Sequence, residues 1–530
     1  MNIIKFQTKI TTHEKILIDD SIKISNFSLC DFLSNQFSID ITDDPDIVSG
    51  FERDWSNIPG HADFLARPIN EKQCSIILYI CNLLNINVTI SAGKTNLTGS
   101  ATPKGGLVLS IINMKNPTTN INIENKTAEA AVGTVLEDMR NDILQLSNKK
   151  LYYPVDPTSR KDALVGGTIS CNASGFIPGD KGATRYWVNR LKIILTNGYI
   201  ADITRGDYIS NDAKFVLLCD NQEIVIEVPD YHRPKIKNAS GPFTAAEQEI
   251  DFIDLIIGSE GIFALITDVE FNLADSPKDF LDLFITLHSE NDAIKLRGYL
   301  KQKNILYKLN ALEYFGYNCQ NYMEHKEKLF KTESSVGIYL QYPLFNETVD
   351  DIIEEWVELL DDSNCGIEDN NVIVLNTPDN WRIFFEARHS MPAKALEKTK
   401  ELDAVSIITD TIVPYKNFND FIQFSHKILR ENHIEYLLFG HLGDCHLHFH
   451  VIYTKDEAPI INNLYRRIIQ KSADLNGVYS AEHGTGKRKT IDFHECYGEE
   501  AVSQVQKCKL AFDPNNILNT GNIITIKDIS

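Results

Sequence analysis

The sequence has no C-x-x-C pair among its ten cysteines. This absence excludes the usual ligand spacings of ferredoxin-type clusters and zinc ribbons, and scattered thiols of this kind are typical of a reducing compartment. The sequence also has no apolar run near the roughly 18 residues that a membrane span requires. Its first twenty residues carry charges in place of an apolar signal core. We therefore expect a cytoplasmic protein without a membrane span.

Acidic residues outnumber basic ones in this sequence. The 530 residues include 52 Lys and Arg against 73 Asp and Glu, which gives a net charge of -21. A field of this sign repels nucleic acid and anionic membrane surfaces, so neither is expected as a partner. An anionic substrate would have to be held by local Arg or Lys side chains. The length is too great for one core and predicts roughly two to four domains.

Histidine is concentrated near the C-terminal end. Of the 14 histidines, five fall in the segments 441–450 and 479–486. The two-residue period of a strand places His446, His448 and His450 on one face. A single such histidine is more often a hydrogen-bonded core or surface residue. Five of them beside Glu482 favour a metal or substrate site, because burying several imidazoles without a partner is unfavourable.

Local patterns predict alternating helices and strands in the first half of the chain. The predictions are a helix over 70–86 with Asn70 as N-cap, a strand over 88–90, a helix over about 134–146, and a hairpin over 190–203 that turns at Asn197-Gly198. Residues 205–250 are polar and predict irregular structure. The composition shifts at 274–277, which we interpret as a domain boundary.

Glycine-bearing segments recur three times, at 91–99, 165–175 and 255–267. Gly, Ser, Thr and Asn after a strand can present backbone N–H groups to a pyrophosphate, but plain turns use the same residues. Each segment alone therefore favours a turn. Neither G-x-G-x-x-G nor G-x-x-x-x-G-K-[ST] occurs at these places, so Rossmann and P-loop folds are not supported.

Taken in order, these segments resemble the FAD-linked oxidases and dehydrogenases of the vanillyl-alcohol oxidase superfamily, in particular the D-lactate, glycolate and D-2-hydroxyglutarate dehydrogenase branch. Residues 91–103 resemble its pyrophosphate loop, and residues 166–175 its second flavin loop. Residues 257–262 are similar to its G-S-E-G-T-L segment, and residues 237–241 to its K-N-x-x-G segment. The near-terminal residues 512–522 resemble its D-P-x-x-x-x-N-P-G-K motif.

This resemblance implies an α+β fold, in which a PCMH-type FAD-binding domain of two mixed α/β subdomains carries a ferredoxin-like cap domain. The implied limits are 1–275 for the FAD-binding domain, 276–480 for the cap, and 481–530 for a segment that returns to the FAD-binding domain. The implied FAD-binding residues are Ser91, Ala92, Gly93, Lys94, Thr95, Asn96, Leu97, Thr98, Gly99, Gly166, Gly167, Thr168, Ser170, Asn172, Ser174, Gly175, Gly258, Glu260, Gly261, Ile266 and Asn519. The flavin loops contain no histidine, which implies non-covalent FAD, although His61 and His232 stay open as attachment sites.

The resemblance also implies roles for the histidine segments. His441, His448 and Glu482 would bind a divalent metal, usually zinc, and His483 would be the general base. Arg388, in a segment similar to the family's W-x-x-R-E, would clamp the substrate carboxylate; a surface salt bridge is the alternative. Two asparagines of the family's metal motif are replaced by His446 and His450. The ligand set and the preferred metal are therefore left open.

The implied activity is oxidation of a D-2-hydroxy acid, D-lactate-like, to the 2-oxo acid, with hydride passing to flavin N5 and the hydroxyl proton to a histidine beside the metal. A separate electron acceptor is expected, which is a quinone, a cytochrome or a flavoprotein. Two alternatives remain: a redox-neutral flavoprotein resembling alkyl-dihydroxyacetonephosphate synthase, and a metal-binding protein without flavin. The sequence leaves a homodimer open and does not determine which 2-hydroxy acid is used.

Overall fold

The computed structural model describes residues 3–526, without the side chain of Asp369. The strands are β1 (Ile3–Thr8), β2 (Ile41–Thr42), β3 (Phe64–Ala66), β4 (Val88–Ser91), β5 (Leu107–Ser110), β6 (Asn120–Asn122), β7 (Thr127–Ala131), β8 (Leu151–Tyr152), β9 (Val188–Ile194), β10 (Tyr199–Thr204), β11 (Lys214–Cys219), β12 (Gln222–Glu227), β13 (Leu265–Asn272), β14 (Ala274–Asp275), β15 (Asp279–Leu287), β16 (Ala311–Phe315), β17 (Val336–Leu344), β18 (Val372–Val374), β19 (Val405–Ile408), β20 (Tyr436–His441) and β21 (His446–Tyr453).

The α-helices are α1 (Thr12–Ser21), α2 (Leu29–Phe37), α3 (Pro45–Val48), α4 (Glu71–Leu84), α5 (Leu136–Leu146), α6 (Val165–Ser170), α7 (Thr184–Trp187), α8 (Phe252–Ile256), α9 (Glu290–Gln302), α10 (Lys326–Leu329), α11 (Val349–Asp361), α12 (Pro378–Glu401), α13 (Tyr415–Glu431), α14 (Ala458–Asp474) and α15 (Thr490–Phe512). Short 3₁₀ helices lie at Ser49–Phe51, Ile111–Asn113, Asp180–Gly182, Leu306–Lys308, Tyr317–Tyr322, Asp369–Asn371, Leu442–Asp444 and Lys455–Glu457. Within the described residues, none of these helices combines the length and apolarity that a bilayer crossing demands.

Three large sheets organise these elements. An eight-stranded sheet has the order β12-β11-β1-β10-β9-β13-β7-β6, and a four-stranded sheet has the order β2-β3-β5-β4. A seven-stranded sheet, in the order β18-β15-β17-β16-β20-β21-β19, is antiparallel throughout. Helices and sheets are mixed along the chain, and this confirms the predicted α+β class.

The predicted domain limits remain a proposal, and their outermost residues lie outside the described range. Sheet membership supports the boundary near residue 275, since β13 ends in the eight-stranded sheet at Asn272 and β15 starts the seven-stranded sheet at Asp279. The near-terminal segment packs back on the four-stranded sheet: the backbone N–H of Val88 donates to the carbonyl of Ile517 at 2.7 Å. This contact supports the predicted return of the chain end to the first domain.

The locally encoded elements are confirmed. Helix α4 begins after Asn70, whose side chain accepts a hydrogen bond from the backbone N–H of Gln73. It ends at Asn85, which adopts the left-handed conformation with φ 54°. Strands β9 and β10 pair as the predicted hairpin, with Ile194 opposite Ile200.

The prediction of irregular structure over 205–250 is wrong in part. Strands β11 and β12 pair within it, and β11 also pairs in parallel with β1. Strand β12 is the edge of the eight-stranded sheet, and most of its side chains are exposed. An edge strand buries few side chains, so its sequence carries little of the hydrophobic alternation from which strands are recognised.

The histidine-rich segment forms the hairpin β20-β21, and His446, His448 and His450 lie on a strand as predicted. The turn passes through Leu442–Asp444 and Cys445, whose φ is 61°. In the register of this hairpin, His441 lies opposite His446, and Phe439 lies opposite His448. The alternate side chains of β21 pack into a buried apolar cluster with the rest of the seven-stranded sheet; they are Leu447, Phe449 and Val451. The opposite face of β21 is therefore the histidine face.

Candidate active site

One cavity of about 430 Å³ brings most of the predicted site residues together. The predicted flavin-loop residues that line it are Ala92, Gly93, Lys94, Thr95, Asn96, Leu97, Gly166, Gly167, Thr168, Ser170, Ser174, Gly175, Glu260, Gly261, Ile266 and Asn519. Arg388, His441, His448, Glu482 and His483 also line it. Residues from the two halves of the chain therefore share one site.

Five predicted flavin-loop residues do not line the cavity but shape the loops that do: Ser91, Thr98, Gly99, Asn172 and Gly258. Ser91 is fully buried at the end of β4. The side chain of Asn172 accepts a hydrogen bond of 2.9 Å from the backbone N–H of Arg185. Gly258 has φ 77°, a conformation that other residues rarely adopt, so its role is to turn the chain.

The near-terminal residue Asn519 joins two of the loops. Its side-chain oxygen accepts a hydrogen bond of 2.7 Å from the backbone N–H of Ile90, and its amide nitrogen donates to the carbonyl of Glu260 at 2.7 Å. These bonds fix the end of β4 against the Gly258–Ile262 segment. The hydroxyl of Ser174, which lines the cavity, has no hydrogen-bond partner within residues 3–526. Small residues, exposed backbone and an orphaned hydroxyl fit an extended ligand such as FAD.

Glu260 anchors the loop that carries His483. Its carboxylate accepts hydrogen bonds from the backbone N–H groups of Thr485 at 2.6 Å and Gly486 at 2.7 Å, and another from the hydroxyl of Ser100. Burial raises the pKa of Glu260, against the lowering effect of these hydrogen bonds. This residue therefore connects the pyrophosphate loop, residues 91–103, to the segment 482–486.

The predicted metal ligands form a compact group. Nε2 of His441 lies 3.3 Å from Oε2 of Glu482, and Nε2 of His448 lies 3.4 Å from Oε1 of the same residue. His446 completes a cluster in which one ligand atom from each residue lies within 4.8 Å of the others. Two or three imidazoles and a carboxylate form a donor set that suits zinc and similar divalent ions.

The other nitrogens of these histidines are held by acceptors. Nδ1 of His441 lies 2.7 Å from Oε1 of Glu313, and Nδ1 of His448 lies 2.8 Å from the carbonyl oxygen of Thr409. Metal-binding histidines are commonly oriented in this way, because an acceptor on one nitrogen leaves the lone pair of the other for the ion. Burial lowers the pKa of His441, but Glu313 and Glu482 outweigh it and raise this pKa to about 10.

Lys237 supplies positive charge behind the cluster. Its Nζ atom lies 2.9 Å from Oε2 of Glu482, and the lysine side chain is 5% exposed. Burial alone would raise the pKa of Glu482, but Lys237 and His441 lower it well below its usual value. Glu482 is therefore an anionic donor in the centre of the group.

Asp410 holds the predicted base His483 from behind. Its Oδ2 atom accepts a hydrogen bond of 3.0 Å from the backbone N–H of His483 and lies 3.4 Å from Nδ1 of the ring. Nε2 of His483 lies on the other side of the ring, 3.6 Å from Oε1 of Glu482. Burial lowers the pKa of His483, which favours the neutral imidazole that a base requires.

A second possible metal group consists of Asp410, Glu482 and His483. The carboxylate of Asp410 already receives hydrogen bonds from Lys489 at 2.9 Å and from the backbone N–H groups of Glu482 and His483. These donors satisfy its oxygens without an ion. The cluster of three histidines with Glu482 is therefore the better-suited group.

Arg388 lines the same cavity from helix α12. Its guanidinium lies 5.2 Å from the centre of the Phe176 ring, and that ring lies 5.6 Å from the ring of His441. No ion pair or hydrogen bond of Arg388 occurs within the part of the chain that the structure describes. Its planar donors are thus free for a carboxylate beside the metal cluster. The guanidinium does not form the surface salt bridge that was the alternative role.

Sequence reasoning did not identify Glu313, Asp410 or Lys237 as parts of this site. Lys237 lies in the segment 237–241, whose similarity to the K-N-x-x-G motif does not by itself indicate a role for the lysine. His61 and His232, left open as flavin attachment sites, lie outside the cavity lining. His61 contacts Glu52 and Asp63.

Comparison with known proteins identifies the two halves of the chain. Residues 62–204 match the family of FAD binding domains, and residues 342–523 match the C-terminal domain of FAD linked oxidases. The chain is 27% identical to glycolate oxidase subunit GlcD of Bacillus subtilis over 466 residues, covering 87% of this chain and 88% of that protein. It is 26% identical to D-lactate dehydrogenase of Anaerostipes hadrus over 510 residues, with coverage of 90% and 93%.

More distant similarities agree with this assignment. D-2-hydroxyglutarate dehydrogenase of Danio rerio is 22% identical over 483 residues, with coverage of 90% of this chain and 81% of that protein. A crystal structure of alkyldihydroxyacetonephosphate synthase shares the fold, with a TM-score of 0.63, 11% identity and coverage of 98% of this chain and 89% of that one. The chain therefore belongs to the FAD-linked oxidases, in the PCMH-type branch that includes these dehydrogenases, and is a flavin-dependent oxidoreductase.

Proposed function

We propose that this enzyme oxidises a D-2-hydroxy acid of the D-lactate type to the 2-oxo acid, with non-covalent FAD as the hydride acceptor. The observation that carries the proposal is the single cavity lined by the flavin loops, by Arg388, by His483 and by the metal cluster. The relatives support the substrate class, because their names refer to glycolate, D-lactate and D-2-hydroxyglutarate, which are all 2-hydroxy acids.

Bound FAD would supply a hydride acceptor, and a divalent metal, in our proposal zinc, would supply a Lewis acid beside the substrate hydroxyl. His441, His448 and Glu482 would hold the metal and leave a coordination position open. Arg388 would bind the substrate carboxylate, a planar task that suits guanidinium. These residues would orient the substrate between flavin and metal.

His483 would take the hydroxyl proton at Nε2. This nitrogen is the available one, because Nδ1 faces the carboxylate of Asp410 at 3.4 Å. The stacked ring of His448, at 5.6 Å between ring centres and 14° between planes, keeps His483 next to the metal cluster. A base in this position would act on a hydroxyl whose pKa the metal has lowered.

The lining of the cavity supports a substrate with a short apolar side chain. Phe176, whose ring centre lies 5.2 Å from the Arg388 guanidinium, lines it together with Ile408 and Phe439. The other Lys or Arg side chain of the lining is Lys94 of the pyrophosphate loop, whose Nζ donates to the carbonyl of Gly50 at 2.6 Å. A second substrate carboxylate, as in 2-hydroxyglutarate, would therefore have no dedicated partner beside the aromatic side chains.

Anaerobic flavin reduction tests the proposed function. Purified enzyme should be yellow, and D-lactate should bleach it faster than glycolate, D-2-hydroxyglutarate or any L-2-hydroxy acid. A yellow protein that no 2-hydroxy acid bleaches would contradict the proposal and favour a redox-neutral reaction. Protein that stays colourless after addition of FAD would contradict the flavin itself. The natural electron acceptor, a quinone, cytochrome or flavoprotein in our proposal, can then be sought by reoxidation of the bleached enzyme.

A further inference from the structure

His446 is a buried histidine with an unsatisfied ring nitrogen. Its side chain is 0% exposed, Nε2 lies 3.0 Å from Oδ1 of Asp410, and Nδ1 has no hydrogen-bond partner among residues 3–526. In the buried His426, by contrast, both ring nitrogens have partners. They lie 2.5 Å from the hydroxyl of Tyr436 and 3.0 Å from Oε2 of Glu290. A buried polar atom without a partner is unfavourable. The arrangement around His446 therefore leaves Nδ1 available as a donor atom.

The ring of His446 lies in the metal cluster. Its centre is 4.5 Å from that of His448 and 5.6 Å from that of His441. Nδ1 lies 4.0 Å from Oε2 of Glu482. Ligand atoms around a tetrahedral zinc ion, with bonds of about 2.0 to 2.1 Å, are roughly 3.3 Å apart. Nδ1 therefore needs only a small shift to share an ion with Glu482.

The three histidines of the cluster have the same arrangement. One nitrogen of each faces an acceptor, which is Glu313 for His441 and the Thr409 carbonyl for His448. For His446 the acceptor is Asp410, whose Oδ1 atom lies 3.0 Å from Nε2. The remaining nitrogen of each ring faces Glu482. A carboxylate or carbonyl behind each imidazole is the usual setting of a metal ligand.

We propose that His446 is a fourth protein ligand of the divalent metal, through Nδ1, so that the site has three imidazoles and one carboxylate. This inference rests on the metal site of the proposed function and adds a ligand to it. A set dominated by imidazole selects zinc and related transition metals over magnesium and calcium, which prefer oxygen ligands. Substrate oxygen would then enter as an added ligand of the ion.

The experiment compares wild-type protein with His446→Asn, which carries the amide typical of the family, and with His450→Asn. His450 lies four residues further along the same face, is also buried and has an orphaned Nε2, but is outside the cluster. Zinc affinity is measured by competition with a chromophoric chelator, and the flavin spectrum reports folding. His446→Asn should bind zinc more weakly by a factor of roughly 10 to 100 or more. Loss of a residue that only hydrogen-bonds a metal ligand already weakens binding by that factor. His450→Asn should bind zinc as the wild type does.

X-ray absorption of zinc-loaded wild-type protein counts the imidazoles without any substitution. Three imidazoles would support the fourth ligand, and two would overturn it. If His446→Asn retains wild-type zinc affinity while Glu482→Gln loses it, the fourth ligand is wrong and the metal site of the proposed function stands. If wild-type protein binds no transition metal, the metal step fails together with the fourth ligand. Flavin reduction by D-lactate separates that outcome from failure of the proposed oxidation.

Discussion

Asp410 contacts His483 at two points, since one carboxylate oxygen accepts from its backbone N–H at 3.0 Å and lies 3.4 Å from Nδ1 of its ring. The main chain and the imidazole of the proposed base are thus held by a single, fully buried side chain. Burial alone would raise the pKa of Asp410, but His483 and Lys489 lower it well below its usual value. The orientation of the base depends on an ionised carboxylate.

Asp410→Asn should therefore affect both rate and stability. We expect flavin reduction to slow by roughly 10- to 100-fold, a part of the 10² to 10⁴ that a positioned base contributes. We also expect the free energy of unfolding to fall by about 3 to 5 kcal/mol, because Lys489 would stay buried without its charged partner. Stopped-flow absorbance and denaturant titration measure the two effects.

The double variant Asp410→Asn/Lys489→Met separates them. It removes the unpaired lysine and should recover stability, while the rate of flavin reduction stays low. A double variant that recovers both would contradict a positioning role for Asp410.

Because the folded pKa of Asp410 is lowered, its contribution to stability is present above its ordinary pKa of 3.8 and is lost as pH falls through the folded value.

The flavin assignment predicts that the first two loops cannot accept a large side chain. Leu in place of Gly167 would start 3.0 Å from Cβ of Ala92 and fill the cavity between the loops. We expect Gly167→Leu to be purified without flavin, as measured by the ratio of flavin to protein absorbance. Gly50→Leu is the control, since no atom lies within 4 Å of a Cβ at that position. A normal flavin content in Gly167→Leu would place the cofactor elsewhere.

Arg388→Ala should chiefly raise the substrate concentration needed for half-maximal flavin reduction. The expected rise is roughly 10- to 100-fold, because the charged hydrogen bonds to the substrate carboxylate are lost. Arg388→Lys should recover only part of it, because an ammonium cannot make the bidentate contact. Arg382→Ala is a matched control on the same helix, since Arg382 is exposed and pairs with Glu386. Equal effects of Arg388→Ala and Arg382→Ala would exclude the clamp.

The sequence predicted the parts of the site that lie close together along the chain. The strand period placed His446, His448 and His450 on one face, and the hairpin brings His441 opposite His446. The side chains behind these histidines could not be predicted in the same way. Glu313 comes from β16, and Asp410 follows β19. Their meeting depends on the strand order of the seven-stranded sheet, which no local pattern encodes.

Metal removal should separate the two proposed cofactors. Elemental analysis should find about one divalent metal per chain, and strong chelation should remove it together with D-lactate-dependent flavin reduction. The flavin absorbance should persist, because the flavin-loop residues are distinct from His441, His448 and Glu482. Restoring zinc should restore reduction. Full flavin reduction by demonstrably metal-free protein would remove the metal from the mechanism.

The role of His483 as base is tested by His483→Ala, which should retain FAD and metal but reduce flavin roughly 10² to 10⁴ times more slowly. The wild-type rate should rise with pH and level off below the ordinary histidine pKa of 6.5, because burial lowers the pKa of His483 and the neutral ring is the active form. This rise of the rate with pH should be absent in His483→Ala. Added imidazole, which fits the space left in the cavity lining, should restore part of the rate. If His483→Ala keeps the wild-type rate and pH profile, another group takes the hydroxyl proton.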